Sequence, residues 1–148
     1  MEPINLLIKP ASSLCNLRCK YCFYFDVAAC RETKSYGIMK TELLEIIVKK
    51  TLSEADGYCS FAFQGGEPTL AGLDFYKKLI EFQKKYNYKN LNIYNSIQTN
   101  GYLLNEEWAA FFAKNNFLVG ISLDGNKNTH DFHRIDTENK GSFTEIMK

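Results

Sequence analysis

Strand-like and helix-like stretches take turns along this chain, and that alternation limits its fold more than any other feature. Asn5 to Pro10 is a short apolar run, followed by a long irregular stretch that ends near Gly37. Thr41 then offers an N-cap, with Glu42 in the first turn and Leu44, Ile47, Val48, Thr51, Leu52 and Ala55 at helical spacing. Tyr58 to Gln64 reads as a second strand, broken by Gly65-Gly66-Glu67-Pro68. Asp74 is the candidate cap of a second helix whose face carries Phe75, Leu79, Phe82 and Tyr86. Leu91 to Thr99 is a third strand, closed by Asn100-Gly101. Asn105 caps a third helix, with Glu106 and Glu107 at its positive end and Trp108, Phe111 and Phe112 on its buried stripe. Phe117 to Leu123 makes a fourth strand, ended by Asp124-Gly125. A polar loop runs on through Arg134, and Gly141-Ser142 starts a fourth helix. The units recur every ~30 to 35 residues, the length of a βαβ crossover, so the chain is read as α/β with parallel strands and right-handed crossovers.

Strand periodicity then places a site. Phe61 and Phe63 alternate with Ser60, Ala62 and Gln64; Ile93 and Ile97 alternate with Tyr94, Ser96 and Gln98; Val119, Ile121 and Leu123 alternate with Gly120, Ser122 and Asp124. Each strand has a bulky apolar face and a small or polar one. With the bulky faces under helices, the other faces converge on an interior ending in Gln64, Gln98 and Ser122 or Asp124. Polar residues at strand ends also cap turns, but three strands with the same parity point to a shared cavity.

Cys15, Cys19 and Cys22 lie in the irregular stretch with the spacing C-x3-C-x2-C. Three thiolates held so closely call for a metal, and three is one short of the four that close a structural zinc site or an ordinary four-iron cluster. A site left one ligand short keeps a metal position open for a substrate or cofactor. The alternative is a structural zinc module that recruits Cys30 as its fourth ligand.

The five cysteines are an odd number, and Met1 is followed by charge and proline rather than an apolar run. A disulfide framework and a secretory signal are therefore not expected, and the expected compartment is reducing and cytoplasmic. With 148 residues, 24% charged, 45% hydrophobic and a formal net charge of +1, the chain has the composition of one globular unit. Balanced, scattered charge gives no nucleic-acid footprint, and no apolar stretch approaches the ~20 residues of a membrane span. Cys59, at the start of a strand, reads as a small buried thiol. His130 and His133 are expected to face solvent.

The cysteine loop after the first strand, with Tyr21 just before its last cysteine, and Gly65-Gly66-Glu67-Pro68 after the second strand together resemble the radical S-adenosylmethionine enzymes. The stretches Leu6 to Pro10, Tyr21 to Tyr24, Ser60 to Leu70, Gln98 to Gly101 and Gly120 to Gly125 resemble the anaerobic sulfatase-maturating enzymes in particular. That resemblance covers essentially the whole chain. It implies a partial (β/α)6 TIM-like barrel, of which about four β/α units are present. Residues 1–148 would then be a radical S-adenosylmethionine core domain truncated at its C-terminal side. The cysteine-rich region expected downstream would bind two auxiliary 4Fe-4S clusters and supply the carboxylate that takes the substrate's proton. No catalytic residue is assigned within the chain itself, and by itself it is not expected to mature a sulfatase.

The resemblance also implies the chemistry. Cys15, Cys19 and Cys22 would hold three irons of a 4Fe-4S cluster, and S-adenosylmethionine would chelate the fourth. Reductive cleavage would release a 5′-deoxyadenosyl radical that takes a hydrogen from the β-carbon of a sulfatase Cys or Ser, leading to Cα-formylglycine. Gly66 would let the backbone approach the cofactor's amino group, and Glu67 would support that ammonium. Tyr21 would lie beside the adenine. Ser122 and Arg134 resemble the residues that hold the ribose and the methionine carboxylate, the latter suited to a planar guanidinium. Tyr24 and Gln64 are the candidates for touching the peptide. The implied partners are an unfolded or nascent sulfatase segment and an electron donor such as ferredoxin or flavodoxin. A radical enzyme that modifies another peptide, for example by cross-linking, would share the same motifs.

Overall fold

The computed structural model describes residues 2–148. Four strands, β1 (Ile4–Ile8), β2 (Tyr58–Phe63), β3 (Asn92–Thr99) and β4 (Leu118–Ile121), form one sheet in the order β1-β2-β3-β4. Every neighbouring pair is parallel, with Leu6 opposite Phe61, Phe61 opposite Asn95 and Gln98 opposite Gly120. Sequence neighbours that are also sheet neighbours, each joined by a helical crossover, are the arrangement of a β/α barrel wall. The expected parallel α/β architecture is therefore present. All four strands are shorter than expected: β1 stops at Ile8 rather than Pro10, β2 at Phe63 rather than Gln64, β3 starts at Asn92 rather than Leu91, and β4 covers Leu118–Ile121 rather than Phe117 to Leu123.

One face of the sheet carries the core. Phe61, Phe63 and Ile97 are buried beneath α2 (Thr41–Glu54) and α3 (Leu73–Tyr86), which bring Leu44, Val48, Leu52, Phe75 and Leu79. Fully burying such a side chain stabilises the fold by roughly 1.5–3 kcal/mol. Tyr76 is the hub, with edge-on ring contacts to Phe63 at 5.2 Å, Phe75 at 5.3 Å and Trp108 at 5.5 Å. Its hydroxyl donates to the Pro68 carbonyl at 2.9 Å, so the buried phenol has a partner. Asn95 shares this face with Ile93 and Ile97, where an unpaired amide would be costly. Gln83 of α3 answers it with a reciprocal amide pair at 2.8 and 3.0 Å.

α4 (Glu106–Lys114) starts as expected, with Asn105 Oδ1 accepting from the Trp108 amide at 3.1 Å. The other two expected caps are displaced: Lys40 and Gly72 precede α2 and α3, and neither supplies a side-chain cap bond. Thr41 and Asp74 lie inside the first turns instead. Two helices appear where loops are expected, α1 (Phe23–Ala29) directly after Cys22 and α5 (Lys127–His133). The helix expected from Gly141-Ser142 is present as a short α6 (Phe143–Ile146) preceded by Ser142. Ile121 and Leu123, expected to pack under helices, are 50% and 45% exposed, because β4 is the edge of the sheet. Among the described residues no helix is long and apolar enough to cross a membrane.

Candidate functional site

The C-terminal ends of the four parallel strands all open onto one end of the sheet, and the loops there hold almost every residue singled out above. The loop after β1 carries the cysteines. Its position is set by three sets of backbone bonds. Leu17, itself buried, forms an antiparallel bridge to Asp136. Arg18 donates to the Ile135 carbonyl at 2.7 Å and Lys20 to the His133 carbonyl at 2.9 Å. Glu67 donates its amide to the Leu14 carbonyl at 2.7 Å. The cysteine loop is thus laced on one side to the segment after α5 and on the other to the turn after β2.

Gly66 shows how tight the second lacing is. It has φ of +55°, and a Cβ there would lie 2.2 Å from the Leu14 carbonyl oxygen. The residue is therefore bare because the cysteine loop's own backbone fills that space. Glu67 is 1% exposed, and both its carboxylate oxygens are bonded within the protein. Oε1 accepts from the Thr69 amide at 2.9 Å and from the hydroxyls of Thr69 and Thr99 at 2.6 and 2.7 Å. Oε2 accepts from the Asn100 amide at 2.7 Å. Its carboxylate ties the turn after β2 to the end of β3.

The three thiols are free and each is partly accessible. Burial pushes the Cys15 thiol up; the Leu17 amide, 3.4 Å from its sulfur, pulls the other way, and the nearby Glu67, Cys19 and Cys22 raise it further. Burial also raises Cys19, opposed chiefly by the Arg134 guanidinium. Such mutual repulsion between thiolates is relieved by a cationic group bound among them. Cys30 lies exposed at the end of α1. Among the described residues no three His, Cys, Asp or Glu side chains converge on one ion position. In an iron–sulfur cluster each iron takes a different thiolate, so its ligands need not share one ion position.

Around Cys19 the residues form a compact polar network. Arg134 Nη1 lies 3.9 Å from Cys19 Sγ, and its guanidinium carbon is 5.4 Å from the Tyr21 ring centroid. Arg134 Nε is 3.1 Å from Asp124 Oδ1, yet its buried N–H is not aimed at that oxygen and has no aligned acceptor. The Tyr21 hydroxyl donates to Asp124 Oδ2 at 2.6 Å. Burial works against ionisation of Asp124, but the Tyr21 and Arg134 contacts outweigh it and hold the carboxyl below its ordinary range. Burial and the bond to Asp124 push the Tyr21 phenol up to about 12. Asp124 lies on the inward parity two residues after Ser122, where the strand pattern ends the interior in Ser122 or Asp124; its bonds to Tyr21 and Arg134 come from other elements.

Next to this network, Ser122 Oγ accepts from Gln98 Nε2 at 3.0 Å, joining the inward ends of β3 and β4. Gln64 Nε2 donates to the Tyr24 hydroxyl at 3.1 Å, so those two candidates also meet. His130 is fully buried, contrary to expectation. Its Nδ1 accepts from the Asp124 amide at 3.3 Å, which leaves Nε2 to donate to Ser142 Oγ at 2.9 Å. Ser142 Oγ in turn donates to the Arg134 carbonyl at 2.8 Å. His130 therefore fixes the backbone on both sides of the Asp124 and Arg134 pair. Nothing in its polar sequence neighbourhood announces this. His133 is only partly buried, 5.5 Å ring to ring from Tyr21.

The chain as a whole is similar to known proteins. The family model for the Radical SAM superfamily matches residues 10–148. The chain is 61% identical over 147 residues to a cysteine-type anaerobic sulfatase-maturating enzyme of Clostridium novyi, covering 99% of this chain and 39% of that protein. It is 40% identical over 148 residues to a serine-type anaerobic sulfatase-maturating enzyme of Bacteroides thetaiotaomicron, covering 99% of this chain and 36% of that protein. A solved structure described as native anSMEcpe with bound AdoMet and Kp18Cys peptide superposes with a TM-score of 0.91 at 59% identity, over 98% of this chain and 38% of that one. The chain spans about two fifths of the length of these relatives.

Proposed function

The chain belongs to the radical SAM superfamily, and on that premise we propose that it is the cofactor-binding part of a cysteine-type anaerobic sulfatase-maturating enzyme. Residues 1–148 would form the N-terminal, truncated portion of a (β/α)6 barrel, with the auxiliary-cluster region downstream. The cysteine target is favoured because identity is 61% to the cysteine-type relative and 40% to the serine-type one.

The observation that carries the proposal is the Arg134 network. It sets a cation with a buried, unaligned N–H beside the cysteine loop, where a carboxylate-bearing cofactor must be held. The donor set fits the expected group: three free thiols on one loop, flanked by hydrogen-bond donors and a guanidinium. Cys15, Cys19 and Cys22 would hold the 4Fe-4S cluster. When bound, the cluster and S-adenosylmethionine supply the radical chemistry that removes a hydrogen atom from the target residue's β-carbon. The chain's own residues position and enclose. Arg134 binds the methionine carboxylate, and Asp124 keeps the guanidinium from swinging into solvent. Tyr21, its ring fixed through its hydroxyl, borders the adenine, and Ser122, supported by Gln98, reaches the ribose. The backbone of Gly66 and Glu67 is assigned to the cofactor's amino end. Gln64 and Tyr24, already bonded to each other, orient the incoming sulfatase segment. The electron donor is a small redox protein such as ferredoxin or flavodoxin, and the setting is cytoplasmic.

The test is anaerobic reconstitution of the protein with iron and sulfide. A brown protein whose reduced cluster changes its electron paramagnetic resonance spectrum on adding S-adenosylmethionine is expected. The full-length enzyme should then convert the cysteine of a sulfatase peptide to formylglycine, read by mass spectrometry. A spectrum indifferent to S-adenosylmethionine would overturn the cofactor assignment. A cross-linked or otherwise modified peptide would overturn the substrate.

A further inference from the structure

Asn100 stands in an unusual position for a residue that closes a strand. It is 7% exposed and its side chain points back at the cysteine loop, where Nδ2 donates to Asn16 Oδ1 at 2.8 Å and to Cys15 Sγ at 3.7 Å. Its amide orientation is not free. Oδ1 accepts from the Tyr102 amide at 2.9 Å, so a flipped side chain would set NH2 against N–H and oxygen against the Asn16 oxygen. The backbone of Asn100 is itself fixed by the buried Glu67 carboxylate at 2.7 Å. Two independent constraints therefore aim one N–H of Asn100 at the sulfur.

We propose that Asn100 is a positioning residue for Cys15 that sets the reduction potential of the cluster, with Glu67 acting through it. The inference rests on the reading that Cys15 binds a cluster. An N–H donated to a ligating sulfur stabilises the more negative, reduced state and so raises the potential. Cys15 receives such donors from Leu17, within its own loop, and from Asn100, after β3. The Leu17 donor is backbone and invariant to side-chain change. Asn100 is the one that the sequence can adjust.

The experiment is a redox titration of the anaerobically reconstituted intact enzyme, followed by electron paramagnetic resonance, with wild type, Asn100→Ala and Asn100→Asp. Asn100→Ala removes the donor. Asn100→Asp keeps the Tyr102 acceptor but replaces the donor with negative charge. Both potentials are expected to fall, Asn100→Asp further, with the reduced-to-oxidised ratio at a fixed potential dropping about tenfold in Asn100→Ala, equivalent to 59 mV for one electron. Unchanged potentials in variants that retain the cluster would overturn the inference and leave the cluster assignment standing. Loss of the cluster from both variants would also overturn it, making Asn100 a structural brace. A wild-type protein that takes up no cluster would remove the reading of the site and this inference with it.

Discussion

Glu67 and Asn100 are joined across two loops by a 2.7 Å bond from the Asn100 amide to a buried carboxylate oxygen. This bond couples the ends of β2 and β3 directly beneath the cysteine loop, and three further donors from Thr69 and Thr99 complete the carboxylate's shell. Because hydrogen bonds to a charged acceptor are worth ~1.5–3 kcal/mol, Glu67→Gln should destabilise the protein by about 2–4 kcal/mol: one acceptor oxygen becomes an NH2 facing donors. Urea denaturation of the two proteins measures it. A loss under ~0.5 kcal/mol would mean that the clamp does not hold the loops.

Gly66→Ala should release iron more than it unfolds the protein. The added Cβ would meet the Leu14 carbonyl at 2.2 Å, one residue before Cys15, so the cysteine loop must move to accommodate it. Gly57→Ala is the control, with φ of +71° but nothing within 4 Å of the new Cβ. Both carry the backbone cost of a left-handed non-glycine residue, roughly 1 kcal/mol. Only Gly66→Ala should lower iron and sulfide content per chain after reconstitution. Equal content in both variants would show that the loop is not gripped at this point.

The parts of this molecule that could be read in advance are those with a strong period. The alternation of Phe61 and Phe63 with Ala62 and Gln64 placed both the core and the inward face correctly, because a strand covered on one side imposes period two. The stripe of α4 and its Asn105 cap were legible for the same kind of reason. What escaped has weak local signals. None of the residues of α1 is buried, so no stripe marks it, and its chain is rich in aromatics that favour strands as readily. Asn95 sat on an apolar face unnoticed, since only the fold brings Gln83 to it. The burial of His130 and the internal bonds of Glu67 are not legible in spacing because partners lie on other elements: 32 and 33 residues on for Thr99 and Asn100, and 12 for Ser142. Long-range satisfaction of a buried polar group leaves no trace in spacing. The meeting of Gln98 with Ser122 is implied by shared parity at strand ends, a pattern the parallel register enforces, whereas that of Gln64 with Tyr24 is not, because Tyr24 lies on α1.

Arg134→Lys should weaken S-adenosylmethionine binding about tenfold or more, close to 1.4 kcal/mol, while leaving iron content unchanged. A lysine offers a point charge without the planar fork, and it cannot sit beside Asp124 and Cys19 at once as Arg134 does. Equilibrium dialysis of the reconstituted protein under anaerobic conditions gives the dissociation constant. An unchanged constant would take Arg134 out of the cofactor site and leave it a structural ion pair.

Protonation of His130 should loosen the loop that carries Asp124 and Arg134. Burial holds its pKa below the ordinary 6.5, and the Arg134 charge pushes in the same direction, against the opposing pull of Asp124 and Asp131. Lys127 adds to the depression from the same helix. In the unfolded chain the imidazole takes its proton near pH 6.5, whereas the folded protein resists it. Stability is therefore undiminished by this group above pH 6.5 and is lost as pH falls below it, until the folded-state value is reached. The charged form would also turn an N–H of Nδ1 against the Asp124 amide it now accepts from. Melting temperature followed from pH 8 to pH 5 should decline in wild type, and the decline should be shallower in His130→Asn, whose amide does not titrate. Parallel curves for the two proteins would show that His130 titrates freely and does not brace the loop.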